Sequence, residues 1–488
     1  MKIQKIELKN YKAFYGEHSI KPNGKNVFIY GENGSGKISI YYALKDFFQS
    51  SIEEIDMEAV DNIFLDADKK GENFIKVEFK PDKDGNDRTE TYELTATGKD
   101  TDNPSDTSIR DANTLKSFLT YKHLLDIHHI KKDGEINLFD LLVKGVLKHF
   151  KYTLTNEKEL GKMWEDIEML IEKDTGQQYR KDQKRRDVDA ALEEFNKAFA
   201  QLFKPPTEDE PNPEYILDHA KPILDQFEQG LEVSLSYIGA TPESNYNEIT
   251  RDEVRVQLKY ARKEIPKPHL FLNEARLSAL AISIYLGMIK RHPQLKPHKV
   301  LFLDDVFIGL DISNRLPLLK ILENEFQDYQ IFITTYDKPW FEYANSFIDR
   351  SKWTVKELRV EKFSDGYEIP IIIDQSDMIL KSRDHFNKGD YKSAAVYATS
   401  EFERITMKYC EDNRKEFQFK KNIKKYSSQH FWQKTKPDVS ATIGSRIESS
   451  RNLILNDLSH YNPTSSPFRS EVSDAIDAVE DLRTEIRT

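Results

Sequence analysis

The stretch whose reading decides the fold is Ile29-Tyr-Gly-Glu-Asn-Gly-Ser-Gly-Lys37. It fits the pattern G-x-x-x-x-G-K, running from Gly31 through Gly36 to Lys37. Asn26-Val-Phe-Ile-Tyr30 before it reads as a short apolar strand, and Ser39 to Phe48 after it carries apolar residues at helical spacing. Strand, glycine loop and helix in that order are the context of a phosphate-binding loop. Gly31, Asn33, Gly34, Ser35 and Gly36 let the backbone wrap a phosphate chain with its N–H groups, and the helix N-terminus adds partial positive charge. Lys37 is placed to reach the β- and γ-phosphates of ATP. A Ser or Thr normally follows this lysine and gives its hydroxyl to Mg²⁺. Here Ile38 follows, which offers no oxygen. Ser39 is the next hydroxyl, but a helix turns by about 100° per residue, so it points elsewhere. The expectation is nucleotide binding with impaired hydrolysis.

The chain has 488 residues, a length for which about two or three domains are expected. With 32% charged and 38% hydrophobic residues it has a globular profile. No apolar run approaches the roughly 18 residues of a membrane span, so no membrane partner is expected. The opening Met1-Lys-Ile-Gln-Lys-Ile-Glu-Leu8 alternates like a strand and is no signal peptide. Cys410 is the sole cysteine, which excludes a disulfide framework and a cysteine zinc site and points to a reducing cytoplasm. A net charge of −11 argues against a surface coated for nucleic acid, though not against a local basic groove.

Residues 3–9 and 26–30 read as strands framing Tyr11-Lys-Ala-Phe-Tyr-Gly16. An N-terminal strand, then Asn10-Tyr-Lys-Ala-Phe14, then Gly31-Glu-Asn-Gly-Ser-Gly-Lys37 resembles ABC-type ATPases of the RecF/SMC/Rad50 branch, in which the opening strands form a sheet beside the nucleotide. Residues 74–80 and 89–95 alternate at period two around Asp82-Lys-Asp-Gly-Asn86, the pattern of a hairpin. The turn is no calcium loop, because its glycine falls too early and the closing glutamate of an EF-hand is missing. Residues 114–130 occupy the place of the family's Q-loop but hold no glutamine; Tyr121, Lys122 and His123 are the nearest polar candidates. His123, His128 and His129 lack the spacing of a helical metal site and read as structural.

Residues 136–150 read as an amphipathic helix, and residues 156–230 as charged helices interrupted by Pro205-Pro206 and Pro211-Asn-Pro213. The resemblance places long coiled coils in this slot. A 40-residue helix would reach only about 60 Å, so a short helical lobe is expected. Within it, Tyr179-Arg-Lys-Asp-Gln-Lys-Arg-Arg186 fits a nucleic-acid backbone or, more simply, a solvated helix face.

Set against the family's motifs, Leu272-Asn-Glu-Ala-Arg276 falls where the signature sits. Asn273 replaces its serine and Glu274 and Ala275 its glycines, while Arg276 completes the stretch at a helix N-terminus. Val300 to Leu303 form a buried strand ending in Asp304-Asp305, which resembles a Walker B. The resemblance assigns Mg²⁺ to Asp304 and the attacking water to Asp305, where most relatives use Glu. Gly309-Leu-Asp311 matches the D-loop, which touches an opposite subunit. Gln330-Ile-Phe-Ile-Thr-Thr-Tyr336 ends where the switch histidine stands, and Tyr336 replaces it; a phenol donates a hydrogen bond but is no base at neutral pH. The order of motifs implies a homo-oligomer, at least a head-to-tail dimer formed with ATP.

After a strand-like stretch from Trp353 through Ile373, residues from about 376 onward read as helices. Phe386 to Glu403 and Leu455-Asn-Asp-Leu-Ser-His460-Tyr-Asn-Pro463 are similar to HEPN-type helical domains. The separation of Arg451 and His460 is longer than the HEPN ribonuclease motif R-x4–6-H allows, so His460 reads as structural or partner-facing. Lys420, Lys421, Lys424 and Lys425 fit a nucleic acid, a partner or a solvated face. No D-x-D or H-N-H arrangement marks a nuclease after the Walker B.

The expected fold is α/β: an ABC-type head with a short helical insertion and an all-α C-terminal domain. The expected divisions are 1–150 and 236–350 for the halves of the head, 151–235 for the insertion and 351–488 for the HEPN-like domain. The combination resembles the ATPase subunits of bacterial anti-phage systems of the Septu PtuA type. In that reading, nucleotide state gates a separate nuclease subunit. Two alternatives stand beside it: a RecF-like repair ATPase acting on DNA, and a ribonuclease toxin acting through the C-terminal domain.

Overall fold

Alternate residues of the central strands serve two different cores. Leu301 and Leu303 face one and Val300 and Phe302 the other; Ile331 and Ile333 oppose Phe332 in the same way, as Phe28 and Tyr30 oppose Val27 and Ile29. A strand covered on both faces reads as a continuous apolar run, which is why these stretches lack the alternation of a solvent-facing strand.

The computed structural model describes the chain except residues 82–88, 104, 114–116, 122–136, 149, 151–157, 173–177, 228–229, 251–252, 268–270, 272, 292–297, 363–365, 375–377, 418–427, 452–468 and 487–488. It divides into two units, Met1–Ile373 and Asp374–Thr488. The strands are β1 (Lys2–Lys9), β2 (Glu17–Ile20), β3 (Asn26–Gly31), β4 (Phe74–Lys80), β5 (Glu90–Thr95), β6 (Phe118–Thr120), β7 (Leu231–Tyr237), β8 (Thr241–Pro242), β9 (Ile249–Thr250), β10 (Val254–Tyr260), β11 (Lys263–Ile265), β12 (Val300–Asp304), β13 (Gln330–Thr335), β14 (Trp353–Lys362) and β15 (Glu368–Asp374). The helices of the first unit are α1 (Lys37–Gln49), α2 (Ser108–Asn113), α3 (Leu160–Glu172), α4 (Gln178–Gln201), α5 (Ile216–Asp225), α6 (Glu274–Arg291), α7 (Ile312–Glu325) and α8 (Lys338–Asn345).

The central sheet has the order β15-β14-β3-β13-β12-β6. From β14 through β6 its neighbours run parallel. A second sheet, β2-β1-β4-β5, is antiparallel, and its β4–β5 pair is the hairpin expected from the sequence. The turn at 82–88 lies outside the described residues. Helix α1 packs between the sheets through Ile40, Tyr41, Leu44, Phe47 and Phe48. On the other face of the central sheet, α6 is apolar on every side, and Gly287 lets α5 approach it closely. A Cβ there would come within 2.7 Å of backbone atoms of His219 and Ala220.

The insertion is a short helical lobe. Trp164 of α3 packs against Phe195 of α4 at 4.9 Å, and Phe139 and Phe199 join them. The basic run on α4 is partly structural: Lys184 is buried and donates to the Ile171 carbonyl at 2.5 Å, and the Arg185 guanidinium lies 5.5 Å from the Tyr246 ring. The amphipathic helix expected over 136–150 is shorter and wound as a π-helix. Leu141–Val146 is π-helical; Leu138, Phe139, Leu142, Val143 and Leu147 are buried while Asp140 and Lys144 are exposed and face each other at 3.5 Å. The boundary expected at 350 also moves. β14 pairs with β3 and β15 lies beside β14, so this stretch completes the head sheet before the helical unit starts at Asp374.

That second unit contains α9 (Met378–Asn387), α10 (Tyr391–Asp412), α11 (Ser428–Thr435), α12 (Ala441–Ser450) and α13 (Arg469–Glu485). Ala394, Ala398, Phe402, Trp432, Ile447, Ile476 and Val479 share its core. Fully buried Glu401 is held by two 2.7 Å hydrogen bonds from Arg404 and by Arg483 at 3.5 Å. Lys420 to Lys425 and His460 lie outside the described residues.

His298, just before β12, is 1% exposed; its ring meets Phe79 at 4.4 Å and neither ring nitrogen has a hydrogen-bond partner. Burial lowers its pKa from 6.5 to about 4. Between these values the unfolded chain binds a proton that the folded chain refuses. The stability is therefore complete above pH 6.5 and falls with pH toward 4, by up to about 3 kcal/mol. Denaturant unfolding of His298→Phe is expected to show correspondingly less acid loss than wild type across that window. Gly287→Val is expected to lower stability by about 1–3 kcal/mol in the same measurement, through overpacking against α5.

Candidate functional site

The glycine loop leaves β3 at its C-terminal end and turns into α1. Gly34 and Gly36 hold φ values of 85° and 93°, the left-handed region where a Cβ is strained. Gly31 has no room for a side chain, since a Cβ would lie 2.3 Å from Ser35 Oγ. Asn33 and Gly34 form the exposed crest, while Ser35, Gly36 and Lys37 are buried. Lys37 Nζ donates to the carbonyls of Gly31 at 2.7 Å and Glu32 at 3.1 Å. Burial lowers the pKa of this ammonium, opposed by Asp305 and Asp304. Ser35 Oγ is buried without a hydrogen-bond partner, at 2% residue exposure. A buried hydroxyl left unpaired costs about 1–3 kcal/mol. An acceptor anion lying in the loop would satisfy it, so the residues present fit a phosphate chain.

The parallel register carries the acidic pair to the same end of the sheet. Asp304 pairs with Thr334 across β12 and β13, and the Thr334 hydroxyl donates to Asp304 Oδ1 at 2.5 Å. Asp305 follows at φ 54°, a left-handed position that Asp tolerates better than most residues. Its Oδ1 accepts from the Tyr336 backbone N–H at 3.0 Å. Burial raises the Asp305 pKa to about 6, with Lys37 opposing and Asp304 adding to the rise. The Tyr336 ring centre lies 5.8 Å from Lys37 Nζ. Lys37, Asp304, Asp305 and Tyr336 are thus brought into one cluster.

The remaining candidates divide. Ile38 is 41% exposed beside the loop, whereas Ser39 is buried with its Oγ turned to the Ala13 N–H at 3.4 Å. For a divalent cation the cluster therefore offers Asp304 but no hydroxyl on α1. Among the described residues, no group of three or more His, Cys, Asp and Glu is arranged to hold a metal. Asn273 caps α6 by accepting from the Arg276 N–H at 3.0 Å, and Arg276 lies over the Phe271 ring. Glu274 opens the helix. The contacts described for Asn273 and Arg276 run to each other and to Phe271. Asp311 occupies the exposed N-cap position of α7. Tyr121 and Ser278 both press on Gly309, where a Cβ would sit 3.2 Å and 2.7 Å from them, which joins α6 to the loop after Asp305. Lys122, His123, His128 and His129 lie outside the described residues.

Sequence reasoning missed Thr334 and the bridge made by Arg315. Buried Arg315 donates to the Leu310 carbonyl at 2.8 Å and to Asp337 Oδ2 at 2.6 Å, tying the Gly309–Asp311 turn to the segment carrying Tyr336. Burial pushes the Asp337 pKa up, but the Arg315 and Trp340 N–H bonds outweigh it and leave it lowered. The only sequence signal was a charged residue on an otherwise apolar helix face.

The family model for the RecF/RecN/SMC N terminal domain matches residues 2–356. The chain belongs to this family, an ATPase class of SMC and RecF type. Among solved structures it is similar to an SmcHead bound to the C-winged helix domain of ScpA, at 13% identity over 77% of this chain and 98% of that one, TM-score 0.41. It is also similar to the Smc head domain with an extended coiled coil bound to the C-terminal domain of ScpA from Pyrococcus furiosus, at 14% identity, 79% and 99% coverage and TM-score 0.41. The SMC head domain from Thermotoga maritima matches at 14% identity, 77% and 100% coverage and TM-score 0.35. No curated protein matches the chain significantly. Among the described residues no helix is long and apolar enough to cross a membrane.

Arg315→Ala is expected to lower stability by about 2 kcal/mol in denaturant unfolding, by leaving Asp337 and the Leu310 carbonyl without their shared donor. Arg315→Lys should not restore it, because an ammonium lacks the planar fork that reaches both acceptors.

Proposed function

We propose that the chain binds ATP on Gly31–Lys37, and that nucleotide state controls its pairing with a second copy and with a separate effector nuclease in a bacterial anti-phage complex. The observation that carries the nucleotide part is the unpaired, buried Ser35 hydroxyl inside a glycine loop whose lysine faces Asp304 and Asp305. The loop N–H groups, Ser35 and Lys37 hold the phosphates. Asp304 and the nucleotide itself would hold Mg²⁺, which supplies charge neutralisation at the phosphates. Asp305 accepts a proton from the attacking water, and Tyr336 N–H fixes its carboxylate. Asn273, Glu274, Arg276 and Asp311 lie at α6 and α7 N-termini, where a second copy would complete the site.

Ile38 makes this a slow site. Ile38→Ser is expected to raise Mg²⁺-dependent phosphate release at least ~10-fold, since it restores an oxygen ligand; equal rates would contradict the role given to this position. Asp305→Asn in the Ile38→Ser background is expected to lower that turnover at least ~10-fold, since the acceptor of the water proton is removed. Unchanged phosphate release in that double variant would remove Asp305 as the base.

The defence role is supported by the combination of this head and a short helical insertion with a helical tail whose sequence resembles HEPN-type domains. A tagged pull-down from the native host with Mg-ATP tests it. Stoichiometric recovery of a nuclease subunit is the expected result, and a partnerless chain contradicts it. The RecF-type repair reading has its support in the family itself, and tight, salt-sensitive, ATP-dependent DNA binding by the chain alone would favour it.

A further inference from the structure

The turn between β10 and β11 is made by residues ill suited to it. Tyr260 pairs with Lys263 across the hairpin, which leaves Ala261 and Arg262 as a two-residue loop. Both are left-handed, with φ values of 48° and 65°. Such a turn ordinarily carries Asn-Gly or Asp-Gly, because both central residues need positive φ. Backbone strain of this sort gathers at functional positions. The tip holds Arg262 and Lys263 in solvent, and Lys267 follows, also exposed. Lys259 is matched by Glu264 at 3.8 Å, but among the described residues no carboxylate pairs with Arg262, Lys263 or Lys267.

Aromatic surface lies beside these charges. Val254, Val256 and Leu258 fill the core from one face of β10, and Tyr260 continues that face beyond the core, 43% exposed. Lys263 stands directly opposite it, so the two share a face. Tyr260 meets Phe271 with ring centres 5.5 Å apart and planes 47° from parallel; Phe271 is itself 39% exposed, and the Arg276 guanidinium lies 5.4 Å from its ring centre. We infer that the hairpin tip and Phe271 dock a short acidic segment of a partner protein, with an apolar side chain of that segment on the Tyr260–Phe271 pair and its carboxylates on Arg262, Lys263 and Lys267. Aromatic and arginine side chains are the ones that anchor protein interfaces, and a guanidinium fork fits a carboxylate. A single-stranded nucleic acid suits the place less well. Successive bases stack on open ring faces, whereas these two rings are tilted together and one faces a guanidinium. Arg262, Lys263 and Lys267, on a chain of net charge −11, also give a polyanion little counterion release. The inference does not depend on a nucleotide at Gly31–Lys37.

Fluorescence anisotropy on the full chain tests this with a labelled peptide of aspartate and glutamate around one phenylalanine, and with the same peptide carrying alanine instead. The phenylalanine peptide is expected to bind saturably and more tightly than the alanine one, with affinity falling as salt rises. Arg262→Glu combined with Lys263→Glu is expected to weaken it by about 10-fold. Arg262→Gly removes one charge while suiting the left-handed turn, so a loss of about threefold in that variant separates docking from damage to the hairpin. Tyr260→Ala should weaken the phenylalanine peptide and leave the alanine peptide within about twofold of wild type. No saturable binding by wild type, or an affinity of the double charge reversal within about twofold of wild type, would overturn the inference. So would tighter binding of a labelled oligothymidylate that the same reversal abolishes, which would make the patch a nucleic-acid seat.

Discussion

The parallel pairing of β3, β13 and β12 is the constraint on which the rest depends. It sets Lys37, Asp304, Asp305 and Tyr336 at one edge of one sheet although they come from positions far apart in the chain. A slip of one residue in β12 would exchange its two faces and turn Asp304 away from Thr334. The register is held because each strand divides its apolar residues between two cores, so a slip would misplace side chains on both faces at once. The sheet is thus more than a scaffold: the packing that stabilises it also positions the charges.

Those charges are balanced by partners from neighbouring elements. Lys37 and the acidic pair oppose one another across a buried site, and neither would be well placed there alone. Arg315 and Asp337 extend the arrangement by linking the turn after Asp305 to the segment after β13. Short, directed hydrogen bonds thus join two turns beside the acidic pair, the one before α7 and the one after β13. In the proposed account those turns are where a second copy would sense the nucleotide.

Much of this was legible in the sequence. The glycine loop, the strand ending in Asp304-Asp305 and the strand before Tyr336 each carry local signals, because buried parallel strands are apolar runs and the loop needs its glycines. Other parts were not. Residues 136–150 show helical spacing, but Leu141–Val146 is wound as a π-helix, a difference of winding that apolar spacing does not distinguish. The head extends through β15 because β14 finds β3, a pairing between residues some three hundred positions apart that no local pattern encodes. Arg315 stood out only as a charge on an apolar helix face, and its role emerged when its two acceptors, Leu310 and Asp337, were brought together. Thr334 read only as the end of a β-branched strand, and its hydroxyl acquired a role only once Asp304 stood opposite.

The most direct test of the central claim is calorimetric titration of ATP into the full chain and into Lys37→Ala, with circular dichroism confirming that both are folded. The account predicts saturable binding at one ATP per chain for wild type and a loss of at least ~100-fold in the variant, since a buried ammonium that faces the phosphates is removed. Equal affinities, or a folded wild-type chain that does not bind ATP, would contradict it.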